Sequence, residues 1–329
     1  MGCLKRSSAV LLFLPVWLSL WGAAATQDGG EGLSPVRAEA EALLSVCPGG
    51  GYSIGTTEHF VVAHAAGVSE AQELADLLEH AHQHFHLSFE QMGFDLATPA
   101  ARLSWISFAD SADYSAYARR ADRADMSWLN GYYSAKTNRV AILGPHVFHD
   151  PAAQGVLVPA ATGQAGDIAA MAGDDVPEPF MKIAHELAHQ LAFNTGLQKR
   201  GVMYPLWVSE GLATRYETEV FGALNKARAR RLVALRDQGR LMDLDELIGL
   251  TRLPDSLDRC EDVYAQAWGF FGFVADRRTA HLKDYLTHLS TLRRGARPAA
   301  ALAGEFTDSF GPLLSLETDW AAYLGEQSP

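Results

Sequence analysis

The sequence predicts an α+β fold, with a small mixed α/β lobe that contains a β-hairpin, followed by a mainly helical lobe. Before residue 150, short runs rich in β-branched and aromatic residues alternate with helical patterns, whereas only helical patterns follow after residue 179. Of the 329 residues, 48% are hydrophobic, enough to bury one large core or two fused smaller ones. We therefore expect one unit of two lobes over residues 51–329.

The N-terminal segment, residues 1–25, has the pattern of an export signal. Lys5 and Arg6 precede an apolar run over 9–20, and Ala23 and Ala25 form an A-x-A arrangement. We expect cleavage after this arrangement and export to the periplasm or the exterior of a bacterial cell. The alternative is an uncleaved membrane anchor, because the apolar stretch is close to the lower limit for crossing a bilayer.

The elements of the first lobe follow a linker. Residues 26–50 are predicted as a linker or N-terminal segment, because their beginning is rich in Gly and polar residues. In the lobe over 51–150, we predict strands at 59–64 and 102–108, a helix at 71–85 and a hairpin at 132–143. Residues 151–179 are too long and irregular for an ordinary connection, and they form either a mobile flap beside a site or a disordered segment.

The second lobe, 180–329, is predicted to be helical throughout. Apolar residues recur there at helical spacing, and no repeat of fixed period is present. The predicted helices are 179–195, 206–221, 225–237, 243–250, 261–278, 281–294 and two shorter ones near the C-terminus.

The charge balance excludes one class of partner. The formal net charge is -12, and removal of a signal that carries Lys5 and Arg6 makes the remainder more negative. Such a chain repels phosphate backbones, so we expect no nucleic-acid partner. A membrane is expected as a partner only if the N-terminal segment stays uncleaved.

Cys47 and Cys260 remain after the signal is removed. In an exported chain, two thiols can form a disulfide, which here would tie the N-terminal region to a late helix. The alternative is two separate small apolar residues that are buried apart from each other.

The motif that carries chemistry is HELAH, residues 185–189, an HExxH sequence within an apolar helical pattern. At 3.6 residues per turn, His185 and His189 project from one face of the helix and can share a metal ion. Glu186 lies in the same turn, where a carboxylate reaches a metal-bound water without having to bind the metal. The alternative is a buried helix whose histidines are hydrogen-bonded core residues.

The residues that follow exclude one subclass of HExxH protein and indicate a third metal ligand on the next helix. A metzincin would continue HExxHxxGxxH, but Ala192 and Thr195 stand at the required Gly and His positions. Instead, Gly196 ends the first helix and Pro205 begins a second one, which carries Glu210. The intervening chain is long enough to turn and to bring Glu210 back against the histidines as a third ligand.

The segments HELAHQLAFNTG and PLWVSEGLATRYE resemble the gluzincin superfamily of zinc metallopeptidases, and most closely bacterial exported proteins with a peptidase-MA-like domain catalogued as a domain of unknown function. The resemblance is specific across 180–220 and weaker elsewhere. It implies one Zn²⁺ per chain with Glu210 as third ligand, Glu217 as a carboxylate that supports the site, and a matching Asn194. The segment VYAQAWGFFGFV resembles the gluzincin helix whose leading tyrosine, here Tyr264, stabilises the oxyanion.

The resemblance also indicates the type of substrate. Gluzincin aminopeptidases carry a G-x-M-E-N element whose glutamate binds the free amine, and the stretch WLNGYYSAKTN has no acidic residue. We therefore expect a metalloendopeptidase, with a peptide or protein substrate aligned on the hairpin edge at 131–143. The alternatives are a zinc-binding module without catalysis and a zinc hydrolase of cell-wall peptides.

A second histidine cluster, EHAHQHFH, contains His80, His82, His84 and His86. Because no carboxylate accompanies them at ligand spacing, we predict a solvated helix face and not a metal site.

Overall fold

A computed structural model of the protein describes residues 34–65, 68–143, 178–218 and 223–326, which all belong to one compact unit. Its first part contains a five-stranded mixed sheet in the order β1-β2-β3-β5-β4. β2, β3 and β5 run parallel, and β1 and β4 pair antiparallel at the two edges. The strands are β1 Ser53–Thr56, β2 Phe60–His64, β3 Leu103–Phe108, β4 Gly131–Ser134 and β5 Arg139–Leu143.

Side chains alternate between the two faces of this sheet, as the pleat of a strand requires. On β2, Phe60 and Val62 join the larger hydrophobic core, which continues into the helical part of the chain. Val61 and Ala63 join a smaller cluster on the opposite face. Both faces are thus buried, which explains the nearly continuous apolar runs of the central strands.

Three helices accompany the sheet. A hydrogen bond from the backbone N–H of Arg37 to the Ser34 side chain caps the first, and the Asp110 side chain caps the third by accepting from Ala112 and Asp113. The helices are α1 Pro35–Leu44, α2 Val68–Gln91 and α3 Ser111–Ala121.

The remainder is helical, so the predicted α+β class with a sheet-containing first lobe and a helical second lobe is confirmed. The fifth and eighth helices pack closely at Gly211, where an added Cβ would lie 2.6 Å from the Ala267 carbonyl oxygen. The helices are α4 Glu178–Asn194, α5 Leu206–Thr214, α6 Lys226–Asp237, α7 Leu244–Gly249, α8 Leu257–Arg277, α9 Thr279–Thr291, α10 Ala299–Phe310 and α11 Leu313–Glu326.

Several elements differ from their predicted bounds. β1 and α3 were not predicted, and α1 lies within the predicted linker 26–50. The end of α1 buries Leu43 in the smaller cluster, so this part of the predicted linker is packed structure. The predicted signal, residues 1–25, and residues 151–177 of the predicted flap lie outside the described residues.

Of the two alternatives for Cys47 and Cys260, the disulfide is not formed, because both thiols are free. Cys47 is buried in the smaller cluster, where its thiol donates to the Leu43 carbonyl oxygen. Cys260 is partly exposed at the start of α8, and its thiol donates to the Pro254 carbonyl oxygen. The two cysteines thus lie in different local environments, and each thiol has its own hydrogen-bond acceptor.

Among the described residues, no helix combines the length and apolar character that a membrane crossing requires.

Candidate metal centre

α4 presents two imidazoles on one face, as the HExxH spacing predicts. The ring centroids of His185 and His189 are 4.8 Å apart, and their Nε2 atoms are separated by 3.2 Å. Two nitrogen lone pairs at this distance repel each other unless a proton or a metal ion lies between them. The relative position of these two histidines is therefore determined by a single turn of helix.

α5 brings a carboxylate to the same point. Glu210 Oε2 lies 3.4 Å from His185 Nε2 and 3.5 Å from His189 Nε2. The three side chains are only 12 to 16% exposed. These three residues form a group whose ligand atoms all lie within 4.8 Å of one another and that could hold a metal ion.

The separations fit a tetrahedral ion of the size of zinc. With metal–ligand distances of about 2.0–2.1 Å and tetrahedral angles, neighbouring ligand atoms are about 3.3 Å apart. The observed 3.2, 3.4 and 3.5 Å match this value without rearrangement. A set of two imidazoles and one carboxylate also suits zinc and leaves one of four positions open.

The electrostatics of the site favour a positive charge. Burial alone would lower the pKa of the His185 ring, but its hydrogen bonds with Glu210 and Glu217 raise it to about 10. Burial would likewise raise the pKa of Glu210, yet the neighbouring His189 and His185 rings lower it well below its usual range. The carboxylates thus stay ionised and face a point where a cation is stabilised.

Glu217 supports the site from behind. Its Oε1 lies 3.1 Å from His185 Nδ1, so this ring nitrogen donates to the carboxylate while Nε2 faces the metal position. Although burial opposes it, the His185 hydrogen bond and the Arg228 charge lower the pKa of Glu217. The position that the resemblance assigned to Glu217 agrees with this contact.

Arg228 was missed by the sequence reasoning. Its Nε lies 3.1 Å from Glu217 Oε2, and its Nη2 lies 3.2 Å from Glu217 Oε1. Its guanidinium also donates to Glu261 and lies 5.2 Å from the centre of the Tyr264 ring. Its position within the basic run of α6 shows no spacing relation to the motif, so no local signal could have identified it.

Glu186 is held at the edge of the sheet. It is 5% exposed, and its Oε2 accepts a 2.7 Å hydrogen bond from the backbone N–H of Tyr133 on β4. The Lys182 ammonium lies 3.2 Å from Glu186 Oε1, another contact that was not predicted. The i, i+4 spacing of Lys182 and Glu186 on α4 is the signal that could have revealed it.

Tyr264 reaches the same site from α8. Its ring centroid lies 6.3 Å from that of His185, with the two rings nearly perpendicular. Burial and the negative charge of Glu210 raise its pKa, so the phenol stays protonated at neutral pH and can donate a hydrogen bond.

Asn194 is placed elsewhere. It exchanges hydrogen bonds of 2.8 and 2.9 Å with Asn138 in the β4–β5 turn, and Arg200 donates to both. Among the hydrogen bonds of the described residues, none joins Asn194 to His185, His189 or Glu210. It therefore fastens the end of α4 to the hairpin and does not orient a ligand directly.

A buried glutamine on α4 joins this helix to the sheet by hydrogen bonds. Gln190 is fully buried, accepts a 2.7 Å hydrogen bond from Trp105 Nε1 and donates to the backbone carbonyls of Ser104 and Asn138. Satisfied polar contacts of this kind rigidify a core. Gln190 follows directly after His189, so the motif helix is anchored to β3 and to the hairpin.

The prediction of a solvated histidine face on α2 is confirmed for His80, which is exposed, but is wrong for His82. His82 is 6% exposed and stacks on His59 with ring centroids 3.9 Å apart. A carboxylate does accompany them, since Glu79 lies 2.7 Å from His59 Nδ1. His59, Glu79 and His82 form a second group that could hold a metal ion. Burial is the main cause that lowers the pKa of His82 to about 4.

The region that carries the first group is similar to a known sequence family. Residues 180–294 match a family described as protein of unknown function (DUF1570). The matched region begins in α4 and ends just after α9, so it contains His185, His189, Glu210 and Tyr264. No curated protein matches the chain.

Proposed function

We propose that this protein is an exported zinc metallopeptidase of the gluzincin type, acting as an endopeptidase. The observation that carries the proposal is the triangle of His185, His189 and Glu210, whose ligand atoms are 3.2 to 3.5 Å apart. Glu186 lies in the same helical turn but outside the triangle, which is the position required of a general base.

The residues that would hold the ion are His185, His189 and Glu210. When bound, zinc supplies a Lewis acid that lowers the pKa of a coordinated water towards neutrality and polarises a carbonyl oxygen. Glu217 keeps the Nδ1 proton of His185 in place, so that Nε2 of this ring presents its lone pair to the ion.

Glu186 would carry the proton during the reaction. Its carboxylate is oriented by the Tyr133 N–H and by Lys182, so it can accept a proton from the attacking water and pass it to the leaving amine. The Tyr264 hydroxyl, kept protonated by burial, would donate a hydrogen bond to the oxygen of the attacked carbonyl.

A peptide is the substrate class that the surroundings support. β4 is the edge strand of the sheet, and its Tyr133 N–H points at Glu186. An extended peptide paired with the rest of this edge would pass beside the candidate metal position. No acidic residue lies between 128 and 138 to bind a free amine, which favours internal cleavage.

The test compares wild-type protein with Glu186→Gln. Glutamine keeps the shape of the side chain and an oxygen that accepts the hydrogen bond from the Tyr133 N–H, but its amide cannot act as a base at neutral pH. We expect zinc content to stay equal and cleavage of an unfolded protein to fall by about 10²–10⁴-fold, the usual contribution of a general base. Glu73→Gln, an exposed change on α2, is the matched control.

Unfolded protein and purified peptidoglycan are digested in parallel, each with and without chelator. Cleavage of unfolded protein that chelator abolishes and added zinc restores would support the proposal. Unchanged turnover in Glu186→Gln would refute the role of this base. Zinc binding without cleavage would indicate a non-catalytic module, and cleavage of peptidoglycan alone would indicate a cell-wall hydrolase.

A further inference from the structure

A second group of metal-binding side chains lies between β2 and α2. His59 precedes β2 directly, whereas Glu79 and His82 lie three residues apart on one face of α2. Each residue offers a ligand atom, and these atoms all lie within 4.8 Å of one another. A Glu-x-x-His pair on a helix, completed by a histidine from another element, is a donor set that suits divalent transition metals.

The hydrogen bonds leave nitrogen atoms of this group unused. His82 is 6% exposed, and its Nε2 is buried without a hydrogen-bond partner among the described residues. The ring of His86 lies 4.5 Å from that of His82, and its Nε2 is likewise buried and unpartnered. Buried polar atoms are rarely left without a partner, and a bound ion is one partner that such nitrogen atoms can take.

The Glu79 carboxylate of this group is oriented by contacts with His59. Glu79 Oε1 accepts a 2.8 Å hydrogen bond from the His59 backbone N–H, and Oε2 lies 2.7 Å from His59 Nδ1. The carboxylate is therefore fixed against the start of β2. Glu58 adds further negative charge, with its Oε1 at 3.9 Å from His59 Nε2.

We propose that His59, Glu79 and His82 form a second divalent-metal site, separate from the proposed catalytic centre. Two imidazoles and one carboxylate make zinc the natural occupant. The ion would join the start of β2 to the middle of α2, so its role is to stabilise the first lobe.

Metal uptake requires one ring to move. The His59 and His82 rings are only 21° from parallel, so no single point lies in both ring planes at bonding distance. The His59 side chain is 26% exposed, which leaves it room to turn about its Cβ–Cγ bond. His82 is enclosed, so it would keep its position while His59 opens the stack.

The test counts zinc in the full chain after chelation, reloading and removal of excess metal. We expect two equivalents in the wild type and one fewer in His59→Gln and in His82→Phe. Phenylalanine preserves the stacking surface of His82 but has no ligand atom. His80→Gln, an exposed change on the same helix, is the matched control and should keep both equivalents.

Equal zinc content in His59→Gln, His82→Phe and the wild type would overturn the proposal, as would loss of an equivalent in His80→Gln. If His82→Phe does not fold, the partly exposed His59 position decides the result. This test also distinguishes the second metal site from the proposed catalytic centre. If that centre holds no zinc, the wild type would bind one equivalent and His59→Gln none.

Discussion

Replacing Arg228 by methionine tests how the proposed catalytic centre is supported. Arg228 forms two contacts of 3.1 and 3.2 Å with Glu217, and Glu217 in turn lies 3.1 Å from His185. The Arg228 and Glu217 side chains are 16% and 9% exposed. The substitution leaves Glu217 as a largely buried charge without its cation, while methionine still fills much of the space.

The expected magnitude follows from this burial. Removing one partner of a buried ion pair costs about 3–5 kcal/mol in unfolding free energy. Asn225 Nδ2 remains 3.4 Å from Glu217, and His185 also remains, so we expect the lower part of this range, about 3 kcal/mol. Because Glu217 orients His185, zinc affinity should fall by about 10–100-fold.

The assay combines urea unfolding with zinc competition on four proteins: wild type, Arg228→Met, Glu217→Gln and the double variant. The double variant has no unpaired buried charge, since only the half-exposed Glu261 loses its partner, and its glutamine oxygen can still accept from His185. We expect it to recover most of the stability that Arg228→Met loses. Lys226→Met, which removes a positive charge from the same helix, controls for net charge.

Two results would contradict this reasoning. One is a loss of less than about 1 kcal/mol in Arg228→Met with unchanged zinc affinity, as for an exposed pair. The other is strict additivity in the double variant, which would show that Arg228 and Glu217 act independently.

Three further predictions concern other positions. Gly211→Ala should lower the unfolding free energy measured in urea by about 1–3 kcal/mol, because its Cβ would clash with the Ala267 carbonyl oxygen; an unchanged value would contradict this packing. Tyr264→Phe should reduce kcat on a peptide by about 10²-fold with little change in KM, and an effect confined to KM would argue against oxyanion stabilisation. In the metal-free protein, burial lowers the pKa of His82 from its ordinary value of 6.5 to about 4, so the unfolded chain binds the proton more readily between these values. Stability should therefore fall as the pH decreases from 6.5 to 4, and urea unfolding at successive pH values should show a weaker decrease in His82→Phe.

Parts of the proposed catalytic centre could be predicted because they depend on one helix. The spacing of His185, Glu186 and His189 places the imidazoles together whatever surrounds the helix. Glu210 was identified from the resemblance to the gluzincins together with the second helix that begins soon after the first, although only packing of α5 against α4 brings its oxygen to 3.4 Å from His185. The sequence left open whether Cys47 and Cys260 form a disulfide, because the answer depends on where each cysteine packs.

Apart from the i, i+4 pair Lys182–Glu186, the contacts that were missed join residues that have no regular spacing along the chain. Arg228 reaches Glu217 across a connection between two helices, and His59 meets Glu79 only because β2 packs against α2. Polar residues on α2 suggested exposure, but burial is a property of the assembled layers, and β2 covers His82.

The amino-acid sequence by itself determined the α+β order of elements, the helix that carries HELAH and the second helix that carries Glu210. These features depend on periodicity and on end signals, which act over a few residues. The tertiary structure alone decided the distances from Glu210 to the two histidines, the contact between Arg228 and Glu217, and the second histidine group. Each depends on side chains from separate elements, and their separation is set by packing of the core and not by spacing along the chain.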